Sequence, residues 1–133
     1  MNLKGALCAF LQANAGVASR VHPLILPQKP TYPAITYQVI SDVAERNLGG
    51  VARRRARVQL SCWGRSYAEA TQVAGKVSAD LQDFQGVMGG AGGPYIMDCN
   101  ALDQSDQHEP QVGIYRVPVD ALILYRGGDP PNG

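Results

Sequence analysis

The most concentrated chemistry in the sequence is a short run of basic residues, made up of Arg53, Arg54, Arg55 and Arg57. A guanidinium group is planar and makes paired hydrogen bonds to carboxylates and to phosphates. The run therefore suits a contact surface for carboxylates of a neighbouring chain, or a contact with nucleic-acid phosphate. A solvated strand edge beside a loop would carry the same residues, so the run alone leaves these alternatives open.

The overall charge argues against free DNA as the main ligand. The 133 residues include 12 Lys+Arg and 11 Asp+Glu, which gives a net charge of +1. Domains that bind nucleic acid are usually far more basic. Charged residues make up 17% of the chain, below the typical ~25%. A surface this neutral is often covered in part by a partner.

Side chains suited to catalysis are few. His22 lies next to a proline, and His108 lies in a polar stretch. The serine-nucleophile motif G-x-S-x-G and the zinc motif H-E-x-x-H do not occur in the sequence. The sequence therefore predicts a protein that is not an enzyme and has no cofactor.

Two further segments could suggest ligand binding. One is a group of carboxylates whose spacing matches no calcium loop, so a solvated acidic turn without metal is predicted there. Its members are Asp98, Asp103, Asp106 and Glu109. The other is the glycine-rich segment 86–94, which follows a predicted helix and precedes a predicted strand. Phosphate loops have the opposite order, so this segment is predicted to be a linker.

The cysteines and the hydropathy indicate an intracellular protein. Cys8, Cys62 and Cys99 are odd in number, widely spaced and free of any C-x-x-C motif. Each is predicted to be a reduced, buried, small hydrophobic residue. No stretch approaches 18 apolar residues, so no membrane span is predicted.

Two helices are predicted from the spacing of apolar residues. Residues 2–15 repeat apolar side chains at the helical period. Residues 66–84 do so more clearly, and Ser66 and Glu69 form a capping box at their start. Gly86 follows as a predicted stop signal.

Four strands are predicted from alternating or β-branched runs. They cover residues 34–40, 56–63, 95–102 and 112–125. In the second strand the alternation points Trp63 away from the apolar side chains. An outward Trp either anchors an interface or covers a helix end. Pro118 in the last strand predicts an edge position or a bulge.

Two segments lack a regular pattern. Residues 20–33 contain four prolines and are predicted to run extended over the surface. Residues 41–55 have no clean period and include Gly49 and Gly50. They are predicted to form a long loop that orders only against a partner, because the stretch is too long for a tight hairpin turn.

The element order predicts the α+β class, with a small mixed, mostly antiparallel β-sheet and two helices packed on one face. Residues 1–126 are predicted to form a single domain. Residues 127–133 have the composition of a disordered tail.

Three segments in this order resemble one protein family. They are RVHPLILPQKPTYPAITYQVIS, ARVQLSCWGRSYAEATQVAGKV and GIYRVPVDALILYR. They are similar to the phage tail-completion or tail-terminator proteins, which are related to the lambda-type terminator. Those proteins share the proline-containing arm before a strand, the W-G-R-S-Y junction into a helix, and a final strand with Y-R.

The resemblance implies a structural virion protein, assembled in the host cytoplasm and located at the head-proximal end of the tail. Members of this family form a ring, commonly of six subunits, that stops polymerisation of the tail tube and docks the head connector. The implied partners are further copies of the chain, the tail-tube protein and the head-completion or connector protein. DNA would only pass through the ring. The candidate contacts between subunits or with the tube are Arg53, Arg54, Arg55, Arg57 and Trp63.

Two other functions remain open. A head–tail adaptor could use its arginines on the passing DNA, and its binding would then weaken steeply with salt. A ring with apolar interfaces would tolerate salt. A small ligand-binding domain or enzyme would need a pocket with perturbed titrating groups, for which the sequence offers few candidates.

Overall fold

Two helices and seven strands make up the part of the chain that the structure describes. The structure is a computed structural model, and it describes residues 2–14, 20–90, 92–104, 107–108 and 113–127. The elements in chain order are α1 (Leu3–Asn14), β1 (Val21–Pro23), β2 (Ala34–Asn47), β3 (Gly50–Gly64), α2 (Tyr67–Leu81), β4 (Gly86–Val87), β5 (Tyr95–Gln104), β6 (Gln107–His108) and β7 (Tyr115–Arg126). Asp106, Glu109 and most of the predicted tail lie outside the described residues.

The strands form one sheet in the order β1-β2-β3-β7-β5-β4, and β6 also pairs with β7. β1 runs parallel to β2, and the other pairs are antiparallel. The α+β class and the mixed, mostly antiparallel sheet are therefore confirmed. β1 lies inside the predicted arm and was missed, because three residues that end in a proline carry no strand pattern of their own.

Pro118 was predicted to mark an edge position or a bulge. β7 is not an edge strand, because it lies between β3 and β5, and its pairing with β3 has no register shift at Pro118. Pro118 is opposite Ser61 of β3. On the other side of β7, pairing with β5 stops at Val119 and pairing with β6 resumes at Arg116. Pro118 therefore lies between the residues of β7 that pair with β5 and those that pair with β6. The N–H that a proline lacks interrupts no continuous row of hydrogen bonds at this position.

The start of α2 follows from its sequence. The Ser66 hydroxyl accepts a hydrogen bond from the Glu69 backbone N–H (3.1 Å), and the Glu69 side chain accepts one from the Arg65 N–H (2.9 Å). The residue before Arg65 is Gly64. It has to be a glycine, because a Cβ at this position would lie 2.7 Å from the backbone nitrogen of Ala70. The predicted helix end is wrong by three residues, since α2 stops at Leu81.

Both helices contribute to a single buried core. α2 contacts β3, β5 and β7, whereas α1 contacts β1 and α2. The buried residues of α2 all lie on the apolar face that its period predicts, namely Ala70, Val73, Ala74, Val77 and Leu81. Tyr67, predicted on the same face, is half exposed. Just beyond it, Phe84 packs edge-on against Phe10 of α1, with ring centroids 5.0 Å apart. That both helices lie on one face of the sheet stays a prediction.

The largest departure from the predicted fold concerns residues 41–55, which are not a loop. They complete β2 and begin β3, so the two strands form one long hairpin around a turn at Leu48–Gly49. The register shifts between Val39 and Ser41, and again after Glu45. Each irregularity reverses the inward–outward alternation that identifies a strand, and this hides the strand in the sequence.

The cysteines are free thiols. Cys62 and Cys99 lie in the core as predicted, whereas Cys8 is only half-buried because it packs at the periphery of the core. Burial raises the pKa of the Cys62 thiol from 9.0 to about 12. The pKa of Cys99 is likewise raised to about 12, by burial first and then by the Asp98 and Asp83 carboxylates. In the unfolded chain both thiols would ionise at lower pH than in the folded protein.

We expect the free energy of unfolding to fall as pH rises from about 9 toward 12 because of these two thiols. The folded state holds their protons while the unfolded state releases them, so stability present below pH 9 is lost above it. Urea unfolding followed by circular dichroism across this range measures the effect. A Cys62→Ala/Cys99→Ala variant should lose less stability than the wild type over the same range. An equal loss in both proteins would contradict the assignment.

Candidate interaction surface

The side of the sheet opposite the core carries mostly polar side chains, and we call it the polar face. It is built from alternate positions of β2, β3 and β7, which the strand register places side by side. Its central members are Thr36, Gln38, Arg57, Gln59, Ser61, Trp63, Arg116 and Asp120.

Trp63 lies on the polar face, as its position in the alternation predicts. Its indole Nε1–H donates a hydrogen bond to the Thr36 hydroxyl (3.0 Å), and the Arg116 guanidinium lies 5.7 Å from the ring centroid. The half-buried indole therefore covers a neighbouring strand and not a helix end. A depression beside it is lined by Leu24, Thr36, Tyr37, Gln38, Gln59, Ser61, Trp63 and Arg116. This lining offers no carboxylate, thiol or imidazole for acid–base chemistry.

The arginine run is divided between the two faces of the sheet. Arg53, Arg55 and Arg57 occupy alternate positions on the polar face, and we call these three the arginine row. Arg53 and Arg55 both pair with Glu45, at N···O distances of 3.4 and 3.2 Å. Arg57 pairs with Asp120 at 3.4 Å. The carboxylates predicted to come from a neighbouring chain are here supplied, in part, by the same chain.

These pairs leave the arginine row available to a partner. About half of each of the Arg55 and Arg57 side chains is exposed. Exposed pairs are worth only ~0–1 kcal/mol each. A partner carboxylate can therefore replace or share them at little cost.

Arg54 faces the core side of the sheet and ties the hairpin to β7. Its Nε donates to Asp42 Oδ1 (2.8 Å) and its Nη2 to the Asp42 carbonyl (3.0 Å). The hydroxyl of the buried Tyr125 donates to the other Asp42 oxygen at 2.5 Å. The hydrogen bond to Asp42 raises the pKa of Arg54. Burial, followed by the hydrogen bond to Asp42, raises the pKa of Tyr125.

We expect Tyr125→Phe to lower the free energy of unfolding by about 1–3 kcal/mol, because the partly buried Asp42 loses a hydrogen bond. Amide hydrogen exchange should speed up in residues 42–56 more than in α2. Tyr95→Phe is the matched control, since Tyr95 is exposed and its ring packs on Arg126 without using the hydroxyl. Equal stability of the two variants would show that Asp42 does not anchor the hairpin.

The outer part of the hairpin is residues 38–57, and we call it the hairpin arm; its tip extends beyond the rest of the sheet. β3 pairs with β7 only from Arg54 onward, so the arm ends as a two-stranded ribbon. β1 pairs with β2 only up to Tyr37. Beyond that point no described strand covers the outer edge of β2. The arm also exposes three large apolar side chains, those of Ile40, Val43 and Leu48.

Sequence reasoning missed the apolar residues of the arm and the role of Asp42 and Glu45. A signal for them exists. Two acidic residues precede the Gly49–Gly50 pair and several arginines follow it, which is the charge pattern of facing strands. Treating the segment as a loop discarded this information.

The carboxylates considered for metal binding lie only in part within the described residues. Asp98 is exposed on β5, and Asp106 and Glu109 lie outside the described residues. In the described ranges, no group of three or more His, Cys, Asp and Glu residues could hold a metal ion. Over the same ranges, no helix combines the length and hydropathy needed to cross a membrane.

Matches to known proteins come from a family model and from solved structures. No curated protein matches the chain. Among 17 matching chains of solved structures, one comes from the virion of a native gene transfer agent particle. It aligns with a TM-score of 0.66 at 14% identity, covering 88% of this chain and 95% of that one, which is a similarity of fold. The family described as Tail completion protein gp17 matches residues 5–126. The chain therefore belongs to the Tail completion protein gp17 family and is a structural protein of a phage-type tail.

Proposed function

We propose that this protein caps the head-proximal end of the tail tube, stops tube polymerisation and provides the docking surface for the head connector. It does so as a homo-oligomeric ring, most simply a hexamer, assembled in the host cytoplasm and retained in the virion. The buried core lies against one side of the sheet, which leaves the polar face available to partners. Family membership supports the tail location, and the hairpin arm supports the proposed ring.

The hairpin arm is poorly suited to an isolated monomer. A two-stranded ribbon alone is only marginally stable in water. An open strand edge beside exposed apolar residues invites pairing or aggregation unless something covers it. Val43 is 59% exposed, and Leu48 at the turn is fully exposed. A ring solves this problem, because each subunit gives one surface to a neighbour and receives another.

The polar face supplies the remaining contacts of the proposal. Trp63 and the arginine row lie on it, next to the polar depression. Aromatic and arginine side chains are the usual anchors of protein interfaces. We propose that Trp63 and the arginine row, including Arg57, contact the tube or the connector.

A head–tail adaptor that contacts DNA is the alternative, and the arginine row would be its binding surface. The pairs with Glu45 and Asp120 reduce the positive charge of that row. They favour a protein partner over phosphate. The salt dependence of binding distinguishes the two functions, because phosphate contacts weaken steeply between low and physiological ionic strength.

Deletion of the gene tests the proposed function. We expect filled heads and unattached tails, with tails of non-uniform length, and expression of the wild-type chain in trans should restore joined particles. Joined particles with tails of normal length in the deletion strain would contradict the proposal. DNA release from otherwise joined particles would favour the adaptor instead.

A further inference from the structure

We propose that the hairpin arm of one copy binds the opposite edge of the sheet in a second copy. This receiving edge consists of β4, the start of β5 and the loop after α2, and we call it the β4–β5 edge. The inference rests on the proposed function, because it presupposes association between copies of this chain.

The two surfaces carry opposite charge. The hairpin arm contains five arginines and two carboxylates, a net charge of +3. On the β4–β5 edge, Asp83 and Asp98 are both exposed. One cation, Arg126, is held over the ring of Tyr95 at 5.1 Å from its centroid. Asp98 is opposite Leu124 in the register. Arg46 of the arm is exposed and lies beyond the part of β3 that pairs with β7.

The two surfaces also share exposed apolar side chains. Eight large hydrophobic residues are exposed in the part of the chain that the structure describes. Three of them belong to the arm, and Val87 and Tyr95 belong to the β4–β5 edge. An apolar centre with charges around it is the usual composition of a protein interface.

A second copy fits this pattern better than the chain's own edge. β3, β7 and β5 lie between β2 and β4 in the strand order. The outer edge of the arm, formed by β2, and the β4–β5 edge are therefore at opposite ends of the sheet. Matching surfaces on opposite sides produce head-to-tail association, which closes into a ring when the rotation between copies allows it.

The contact is made by side chains and does not extend the sheet along the middle of β5. The Cys99 carbonyl already accepts a hydrogen bond from the Asp83 N–H (2.8 Å). The Ala101 N–H already donates to the Gln82 side chain (3.0 Å). These bonds occupy the outer edge of β5 and fix the Asp83 backbone beside it, so the arm packs over this edge.

A charge swap in assembled particles tests the interface. The deletion strain is complemented with Arg46→Glu, with Asp98→Lys, or with both changes in one chain. Arg46 is exposed near the turn of the hairpin and is not part of the Asp42 anchor, so the fold should persist. Each single change should reduce joined particles by about tenfold or more, because every subunit contact meets like charge. The double variant restores an opposite pair at each contact and should recover to within about threefold of the wild type. Lys4→Glu, an exposed change on α1, is the control and should leave the yield unchanged.

The possible failures are distinguishable. If both single variants assemble normally, or if the double variant is as defective as the worse single one, the interface is wrong while the proposed function stands. If the deletion strain itself produces joined particles, the proposed function fails. Circular dichroism and thermal melting of each purified variant show whether a loss of particles reflects unfolding.

Discussion

Replacing Leu81 with Asp should unfold the protein. Leu81 is completely buried at the end of α2, within the cluster that joins the helix to the sheet. An unpaired carboxylate there costs several kcal/mol. A domain of this size has a total stability of about 5–15 kcal/mol. Circular dichroism and urea unfolding should show a loss of most or all of the cooperative transition at neutral pH.

Gln72→Asp is the matched control for this prediction, since Gln72 is exposed on the same helix. It should change the free energy of unfolding by less than about 1 kcal/mol. Val77→Asp, one turn before Leu81 and also buried, should behave like the Leu81 variant. If a core variant melts like the control, the face of α2 that meets the sheet has been assigned incorrectly.

Replacing the whole arginine row should abolish assembly while the fold persists. In the triple variant Arg53→Glu/Arg55→Glu/Arg57→Glu, three exposed cations become anions next to Glu45 and Asp120. Each lost ion pair costs only ~0–1 kcal/mol of stability, whereas the sign of the contact surface is reversed. Joined particles should fall by about a hundredfold or more in complementation, because several charges change at every contact.

Two further variants distinguish an effect of charge on assembly from an effect on the stability of the fold. Changing the arginine row to Ser removes the ion pairs without repulsion, so it should assemble better than the Glu variant. Arg54→Ala should instead lower stability, because Arg54 is bonded to Asp42 on the core side. Normal particles from the triple Glu variant would show that the row is merely solvated.

Elements with strong local signals could be predicted from the sequence. The apolar period of α2 and the Ser66–Glu69 capping box located that helix to within three residues at its end. The alternation of β3 around Val58 and Leu60 identified its buried face. In each case the information lies within a few neighbouring residues, so no knowledge of the fold was needed.

The hairpin arm could not be predicted, because its stability comes from residues distant in the sequence. Asp42 is fixed by Arg54, twelve positions away, and by Tyr125, eighty-three positions away. The register shift at Ile40 also reverses the alternation inside β2, and a second shift does the same near the start of β3. The sequence located the arginines. The alternation of residues 56–63 places Arg57 on the outward face. The faces of Arg53, Arg54 and Arg55 could not be predicted, because the strand that contains them begins at Gly50 and was treated as a loop.

The most direct test of the central claim is electron microscopy of isolated tail tubes incubated with the gold-labelled wild-type chain. Capping predicts label at one end of each tube, with no growth when tail-tube protein is then added. Light scattering of the bound protein released from the tubes should give a multiple of the 14.2 kDa chain mass. Label along the length of the tubes, or continued growth of labelled tubes, would contradict the account.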